Sequence, residues 1–422
     1  MVFVPFIYFT LLTAYWWKKH GAFDICVYMS SLYAVSSFFE IVVVYGGMLG
    51  EGGILFDETD IELGVLPTIL FCLIHTFAML PFSLIYKKDI KEITPPRTNI
   101  LTVVGWILIA VSLLNFYLVG SSTVEILSGD LASIRADHYN GIESPAQVKA
   151  EALPSFLAYF YYLNTSTLLA LPLFFYYLCC DKGKPWWFKA LLLFASLSVP
   201  LQGIQVVDRT EILLWGMMLV FCLVFFGKFL AKKQKRIMML SGIPFIVLAL
   251  IYFIAVTQAR FDEMDGGAEA GAVQYAGQGH LNFCFFWENQ RTDIVSPERE
   301  FPLIYHFLFN IDSNPERRDD RSGQQGFFIS VFPTYIGDIM LDITPIGMIL
   351  WVIYFFLITM LVIKKGHRNE FDVGEMLLIY ILSVIPIFGI FYYRYFTFTY
   401  TILVMLTFLI YVISKKQLKN IC

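Results

Sequence analysis

The sequence predicts an all-α, polytopic integral membrane protein, and three observations support this. Hydrophobic residues make up 58% of the 422 residues and charged residues 15%, where soluble proteins have roughly 45–50% and about 25%. The mean hydropathy is +0.66, and the chain carries 41 Phe and 24 Tyr. Many apolar runs approach twenty residues, which is too long for the strands of a membrane barrel. A water-soluble enzyme is therefore excluded.

The apolar runs divide the chain into about eleven predicted transmembrane spans, each near the ~20 residues that cross ~30 Å of hydrocarbon. The first run ends in Trp-Trp-Lys-Lys and lacks a basic leader and a cleavage site, so we interpret it as a span and not as a signal peptide. Residues 1–422 then form a single membrane domain. The spans fall at about 2–17, 24–48, 65–86, 99–119, 153–178, 188–206, 211–230, 237–257, 344–363, 374–391 and 396–413.

The connections between these runs alternate in charge. One set is rich in Lys, and the other holds most of the acidic residues. The positive-inside rule places the Lys-rich set in the cytoplasm, with the N-terminus outside and the C-terminus inside. Two long segments then face outward: a medium loop at 120–152 and a large loop at 258–343, in which apolar patches predict short helices at the outer membrane surface.

Composition also narrows the possible ligands. A net charge of −4 without a basic stripe excludes nucleic-acid binding. The seven cysteines show neither a CxxC pair nor metal-ligand spacing, so we predict no disulfide framework, no metal and no cofactor. Nucleotide-binding and hydrolase signatures are absent from the sequence as well. An enzyme acting outside would need a substrate that carries its own leaving group, and lipid-linked pyrophosphates meet that need.

The outward connections carry Arg where the inward ones carry Lys. Arg binds phosphate or carboxylate through two parallel hydrogen bonds and stays charged beside lipid. We therefore expect a site for an anionic, phosphate-bearing ligand at the outer surface; pairing with outward acids would explain the same residues without a ligand. The outward arginines are Arg135, Arg209, Arg260, Arg291, Arg299, Arg317, Arg318, Arg321 and Arg394.

Three of these arginines lie at the outward ends of spans, at the depth of a lipid head group. Arg209 lies in a turn of a few residues, Arg260 ends a span, and Arg394 lies in the Tyr-Tyr-Arg-Tyr segment between the last two spans. We predict that the three converge on one outward rim. An interfacial aromatic belt with a snorkelling arginine is the alternative for Arg394.

General-base candidates are few. His280 follows Gln278-Gly279, and Asp338 and Asp342 lie in an apolar stretch, where shielding would raise their pKa values toward those of a base. The alternatives are a hydrogen-bonded structural histidine and acids that cap a helix or face the interface.

Other ionisable residues are given structural roles. Glu40 and His75 lie within predicted spans, where we expect hydrogen bonds between helices. The charged run 315–321 is expected to be a solvated loop that pairs with itself.

This layout resembles that of the oligosaccharide repeat-unit polymerases of bacterial surface glycans, the Wzy family of O-antigen polymerases. Shared features are about eleven spans, a cytoplasmic C-terminus, and a medium outward loop followed by a large one. The local similarities are Leu131-Ala132-Ser133-Ile134-Arg135, Asp208-Arg209-Thr210-Glu211-Ile212-Leu213, Arg260 with Gly271 in an Arg-x10-Gly spacing, Gly279-His280-Leu281-Asn282-Phe283, and Tyr335-Ile336-Gly337-Asp338 before Gly347.

The resemblance implies a GT-C-like glycosyltransferase in the bacterial cytoplasmic (inner) membrane, with its active site facing the periplasm or exterior. It would use no cofactor. It would transfer a growing glycan from undecaprenyl pyrophosphate onto a single lipid-linked repeat unit, alongside a flippase and a chain-length regulator. The product would be O-antigen, capsule or another envelope polysaccharide.

The resemblance also suggests roles for individual residues. Pyrophosphate would be held by arginines, glycan or a second pyrophosphate by others, and the acceptor hydroxyl would lose its proton to a base. The residues are Arg209, Arg260 and Arg394 for pyrophosphate, Arg135 or Arg291 for the second group, His280 or Asp338 as base, and Tyr275, Trp287 and Tyr335 for stacking on sugars.

Three alternatives remain open on the sequence. An O-antigen ligase-like glycosyltransferase would use the same chemistry but produce no ladder of repeat lengths. A transporter or flippase of lipid-linked glycan would be expected to have more charges within its spans and internal repeats. A non-catalytic membrane scaffold would have no product at all.

Overall fold

The computed structural model describes residues 1–49, 54–56, 63–87, 90–96, 99–129, 131, 133–134, 144–181, 183–205, 207–261, 267–293, 295–311, 315–365 and 370–416. The side chains of some helical positions, Arg260 among them, fall outside that description.

The described part of the chain is mostly helical. In chain order the helices are α1 (Phe3–His20), α2 (Ile25–Tyr45), α3 (Val65–Met79), α4 (Ser83–Lys87), α5 (Ile100–Ser128), α6 (Pro145–Glu151), α7 (Ser155–Tyr162), α8 (Ala170–Cys179), α9 (Trp186–Ser196), α10 (Ser198–Ile204), α11 (Thr210–Phe225), α12 (Lys232–Phe261), α13 (Gly267–Asn289), α14 (Pro302–Phe309), α15 (Pro315–Gln325), α16 (Thr334–Lys365), α17 (Val373–Phe388) and α18 (Phe398–Lys416). Short 3₁₀ helices occupy Leu80–Phe82, Leu163–Leu169 and Arg394–Phe396.

Local sequence explains several helix ends. The Asp24 side chain caps α2 by accepting a hydrogen bond from the Val27 amide. Gly21 adopts φ 68° after α1 and returns its N–H to the Trp17 carbonyl, a conformation that glycine reaches without strain. Ser144 caps α6, in which Pro145 occupies the first turn.

The prediction of an all-α membrane protein is confirmed at this coarse level. Within the described residues, five helical segments are long and apolar enough to cross a membrane, and three shorter apolar helices accompany them. The five are Ile25–Tyr45, Val65–Tyr86, Ile100–Gly120, Trp186–Ile204 and Thr334–Lys364. The count of eleven spans, the orientation of the termini and a GT-C-like arrangement stay predictions.

The two predicted outward loops are more helical than the sequence indicated. The large one contains the short helices α14 and α15 and also α13, which is 23 residues long. In the medium one, α5 runs on to Ser128 and α6 covers Pro145–Glu151.

The chain divides into two compact units. The first comprises Met1–Lys91, Glu269–Asn369 and Ile381–Thr401, and the second comprises Glu92–Ala268, Glu370–Tyr380 and Ile402–Cys422. In the second unit, the three-residue strands β1 (Glu92–Thr94) and β2 (Glu370–Asp372) pair in parallel, and α5 packs against α9 and α10.

A break within α16, in the first unit, divides this helix into two segments, and the first of them carries candidate site residues. The backbone leaves helical geometry at Ile343 and at Thr344, which has φ 70° and ψ 166°. Pro345 follows, and proline disfavours the helical conformation in the residue before it. The helix is therefore split into an initial segment, residues 334–342, and a long apolar segment that begins where the sequence predicts a span at 344.

Candidate functional site

Two carboxylates share one face of the initial segment of α16. Asp338 and Asp342 are four residues apart, which places them one above the other on a helix. Both are fully buried. A buried ionised carboxylate is costly unless it is paired and hydrogen-bonded, so these two acids require nearby donors.

Two buried arginines supply donors to Asp342. Arg299 Nη1 lies 2.9 Å and 3.1 Å from its two carboxylate oxygens, and Arg321 Nη1 lies 2.5 Å from Oδ1. Arg299 Nη1 is also 3.7 Å from Asp338 Oδ1. Burial lowers the pKa of the Arg299 guanidinium, but the charges of Asp342 and Asp338 outweigh burial and raise it above its ordinary value.

The backbone positions both arginines. The turn that carries Arg299 is tied to α16 because the Ser296 amide donates to the Asp342 carbonyl at 2.9 Å, and Pro345 lies beside that end of the helical segment. Arg321 comes from α15, where its side chain is buried. The expectation that 315–321 is a solvated loop was therefore wrong for Arg321, because Asp342 offers a buried counter-charge.

Glu300, next to Arg299, adds a third buried acid. Burial raises the pKa of the Glu300 carboxyl well above its usual range, and the charges of Asp342 and Asp338 raise it further, while Arg299 lowers it. Neither carboxylate oxygen of Glu300 has a hydrogen-bond partner among the described residues. We refer to Arg299, Glu300, Arg321, Asp338 and Asp342 as the acid–arginine cluster.

The segment after α17 contacts this cluster, and Arg394 belongs to that segment. The Tyr393 amide donates to Asp338 Oδ2 at 2.9 Å. The Arg299 guanidinium lies 4.9 Å from the centre of the Phe396 ring. Arg394 itself is half-buried, donates to the Tyr392 hydroxyl at 2.6 Å and lies 4.4 Å from the centre of the Tyr400 ring. The two predicted site residues Asp338 and Arg394 are thus connected through Tyr393, whose amide contacts Asp338 and which precedes Arg394 in the chain.

The cluster retains donors that its own carboxylates do not use. Arg299 Nη2 and Arg321 Nε and Nη2 are buried and have no hydrogen-bond partner among the described residues. Buried polar atoms are nearly always hydrogen-bonded in native proteins. These guanidinium N–H groups can therefore donate hydrogen bonds to an anion or to water beside the two carboxylates.

His280 belongs to a second buried polar group in the same unit. Its Nδ1 lies 2.7 Å from Glu40 Oε1, and its Nε2 lies 3.2 Å from Thr68 Oγ1 and 3.3 Å from Cys284 Sγ. A Cβ at Gly277 would lie 2.7 Å from the Glu40 backbone nitrogen, so glycine permits the close approach of α13 to α2. The predicted interhelical hydrogen bond of Glu40 is present.

His75 is buried beside this group but has no such bond. Neither of its ring nitrogens has a hydrogen-bond partner among the described residues. Its ring lies 4.4 Å from that of Tyr33 and 5.1 Å from that of Tyr335, centre to centre. The expectation that His75 bonds between helices was therefore wrong, because aromatic rings surround it.

Arg209 and Arg260 lie in the second unit, whereas Arg394 lies in the first. Arg209 is buried, and its Nη1 donates to Thr257 Oγ1 at 2.5 Å. Arg260 lies in the last turn of α12, and its side chain is not described. The predicted convergence of these three arginines stays a prediction.

The remaining predicted residues occupy varied settings. Arg135 lies outside the described residues. Arg291 is exposed and pairs with Asp293 at 3.0 Å. Tyr275 packs edge-on against Phe332, and Trp287 lies near Phe283. Tyr335 is 1% exposed, and its ring lies near those of His75 and Trp351. Its stacking on a sugar stays a prediction.

Sequence reasoning missed Glu300 and gave Arg299 and Arg321 no specific role. The available signal was the pair Asp338 and Asp342 in an apolar stretch, since two acids on one helix face need counter-charges. Any of the nine arginines in the connections predicted to face outward could have met that need, and the sequence does not indicate which of them contact α16.

No family model matches the chain, and neither the curated proteins nor the solved structures contain a match to it. Among the described residues, no group of three or more His, Cys, Asp or Glu side chains is arranged to hold a metal ion.

Proposed function

We propose that the chain is a membrane glycosyltransferase that polymerises lipid-linked oligosaccharides, moving a growing glycan from polyprenyl pyrophosphate onto a lipid-linked repeat unit. The observation that carries this proposal is the acid–arginine cluster, in which two buried arginines with unused N–H groups lie against two buried carboxylates. Transfer of a glycan from a pyrophosphate needs both kinds of group at one place.

The arginines would stabilise the leaving group. As the bond between the anomeric carbon and the pyrophosphate oxygen breaks, negative charge grows on the pyrophosphate. Arg299 Nη2 and Arg321 Nε and Nη2 would donate to that charge from a buried position, where such interactions are stronger than in water. Arg394, one residue beyond Tyr393, would add a further positive charge.

A carboxylate would take the proton. When the acceptor hydroxyl oxygen bonds to the anomeric carbon, its proton must leave. Asp338 would take that proton, because Asp342 accepts hydrogen bonds from both arginines, whereas the Arg299 guanidinium lies 3.7 Å from Asp338. The pyrophosphate departs with the bonding electrons, so the step needs no oxidant or reductant. Arg209 and Arg260 remain proposed contacts to pyrophosphate, to be tested separately.

The direct test gives purified protein a lipid-linked repeat unit and follows the glycan products on a gel. Arg299→Lys and Asp338→Asn keep side-chain size similar, and we expect each to lower the rate by about 10²–10³-fold. Arg236→Ala, at an exposed arginine on α12, is the matched control and should give the wild-type ladder.

Full ladders from both cluster variants at wild-type protein levels would refute the proposed chemistry. Ala and Lys variants of Arg209 and Arg260 belong in the same assay, with the same criterion. A single transferred glycan without a ladder would favour the ligase-like alternative.

A second candidate function is transport of lipid-linked glycan, favoured by Glu40 and His280. Ionisable side chains within membrane helices commonly mark ion or proton pathways, and this pair is buried with its partners Thr68 and Cys284. Liposomes containing the protein separate the two functions. Polymer formed without an energy source indicates the polymerase, whereas movement of unchanged lipid-linked glycan across the bilayer, lost in Glu40→Gln, indicates the transporter.

A further inference from the structure

Glu300 differs from the other acids of the acid–arginine cluster. Asp342 is held by three contacts to arginine, and Asp338 accepts from the Tyr393 amide and lies 3.7 Å from Arg299. Glu300 is 5% exposed, and neither of its carboxylate oxygens has a hydrogen-bond partner among the described residues. A buried carboxylate without donors is costly when ionised, and burial and the charges of Asp342 and Asp338 raise the pKa of this carboxyl.

Among the described residues, the charged and titratable groups near Glu300 come from its own turn, from α16, from the segment after α17 and from α15. Arg299 belongs to its own turn, Asp338 and Asp342 come from α16, and Tyr393 comes from the segment after α17. Arg321 reaches the cluster from α15 through Asp342. Arg299 favours the ionised form of Glu300, whereas burial and the charges of Asp342 and Asp338 oppose it.

The charge of the cluster therefore depends on Glu300. With Glu300 neutral, the two arginines balance the two aspartates, and the unused N–H groups of Arg299 and Arg321 can receive an anion. With Glu300 ionised, the cluster carries one net negative charge. At a buried site of low dielectric constant, that charge strongly opposes an incoming anion.

We propose that the acid–arginine cluster binds an oxyanion only while Glu300 carries a proton, so that anion binding and protonation of Glu300 are coupled. The ligand is a phosphate or diphosphate group held by Arg299 Nη2 and Arg321 Nε and Nη2. The coupling deepens the proposed function and rests on it only for the identity of the anion. It makes Glu300 a positioning residue that sets the charge of the site.

The experiment measures anion affinity of the purified full chain from pH 5 to pH 9.5. Sulfate is the first probe, since its charge stays constant over that range. Inorganic pyrophosphate and a long-chain prenyl pyrophosphate are the second and third. Wild-type affinity should be constant while Glu300 is protonated and then fall by up to about tenfold per pH unit, the limit for one coupled proton.

Two variants separate Glu300 from other titrating groups. Glu300→Gln keeps a neutral side chain of the same size, so its sulfate affinity should not change with pH. Glu298→Gln makes the same chemical change two residues earlier in the turn, where the side chain is half-buried, and should keep the wild-type profile. Calorimetry of the wild-type protein in two buffers of different ionisation enthalpy counts the protons taken up when the anion binds. Because this measurement needs no variant, it tests the coupling even if Glu300→Gln misfolds.

The outcomes are distinct. A wild-type affinity that does not change with pH, or a Glu300→Gln profile that still falls, overturns the coupling while the polymerase proposal stands. Failure of all three probes to bind at any pH overturns the anion site and with it the proposed function. Binding of inorganic pyrophosphate supports a site for the free anion, and binding that needs the prenyl chain supports a lipid head group, in each case with the pH dependence above.

Discussion

Asp342 is the centre of the acid–arginine cluster, and its replacement gives the sharpest test of the structural argument. Asp342 accepts two hydrogen bonds from Arg299 and one from Arg321. The change Asp342→Asn removes the negative charge that compensates both guanidinium groups, and all three residues are at least nine-tenths buried.

The size of the effect follows from how many charges are left uncompensated. Removing one partner of a buried ion pair costs about 3–5 kcal/mol. Arg321→Met leaves Asp342 still paired with Arg299, so we expect a loss near the lower end, about 3 kcal/mol. Asp342→Asn leaves two arginines with Asp338 as the only strong acceptor within the cluster, so we expect about 5 kcal/mol, or more than a thousandfold in the unfolding equilibrium.

The assay is reversible unfolding in detergent or bicelles, followed by the free energy of unfolding. Arg291→Ala is the matched control, because Arg291 and Asp293 also form an Arg–Asp pair, at 3.0 Å, but both are more than half exposed. Exposed pairs contribute little, so this variant should unfold like the wild type. Equal stabilities for Arg291→Ala, Arg321→Met and Asp342→Asn would refute the argument that burial makes these pairs important.

Two further predictions concern stability. Burial and the charge of Asp342 raise the pKa of Glu300, so the folded state binds its proton more tightly than the unfolded chain does, and the free energy of unfolding falls as pH rises above about 4.3. Glu300→Gln should remove the contribution of Glu300 to this fall when unfolding is measured at several pH values. A variant whose free energy of unfolding depends on pH as the wild type does would contradict the prediction. Gly277→Ala would place a Cβ 2.7 Å from the Glu40 amide nitrogen and should destabilise by about 1–3 kcal/mol, whereas Gly323→Ala, with nothing within 4 Å, should be neutral or stabilising in the same unfolding assay.

Helix positions were largely predictable because apolar runs of membrane length leave few alternatives to a helix. The predicted span at 344–363 begins at the break in α16. Pro345 disfavours the helical conformation of the residue before it, and this effect is local in the sequence. The helix Gly267–Asn289 was missed, because its first half is rich in Gly and Ala and is stabilised by packing against α2 and not by its own hydrophobic pattern.

The site was predictable only in part. Asp338 and Arg394 were named from their settings in the sequence. Asp338 belongs to the acid–arginine cluster, and Arg394 follows Tyr393, whose amide donates to Asp338. His280 was named, but its partner Glu40 is 240 residues away in the chain, and no local pattern connects them. Arg321 was misjudged because its charged neighbours suggested solvent, while its partner lies on another helix.

Composition and hydropathy alone determined that this chain is a helical membrane protein, because 58% hydrophobic residues in long runs cannot be buried by a soluble fold. The surplus of arginines in the connections predicted to face outward led us to predict an anionic ligand, but it did not predict where that ligand would bind. Only the tertiary structure decided which arginines are buried, since that depends on the break at Thr344, on the turn that ties Ser296 to Asp342, and on α15 folding back onto α16. Hydrophobic periodicity is a local property of the chain, whereas the pairing of buried charges depends on contacts between distant segments.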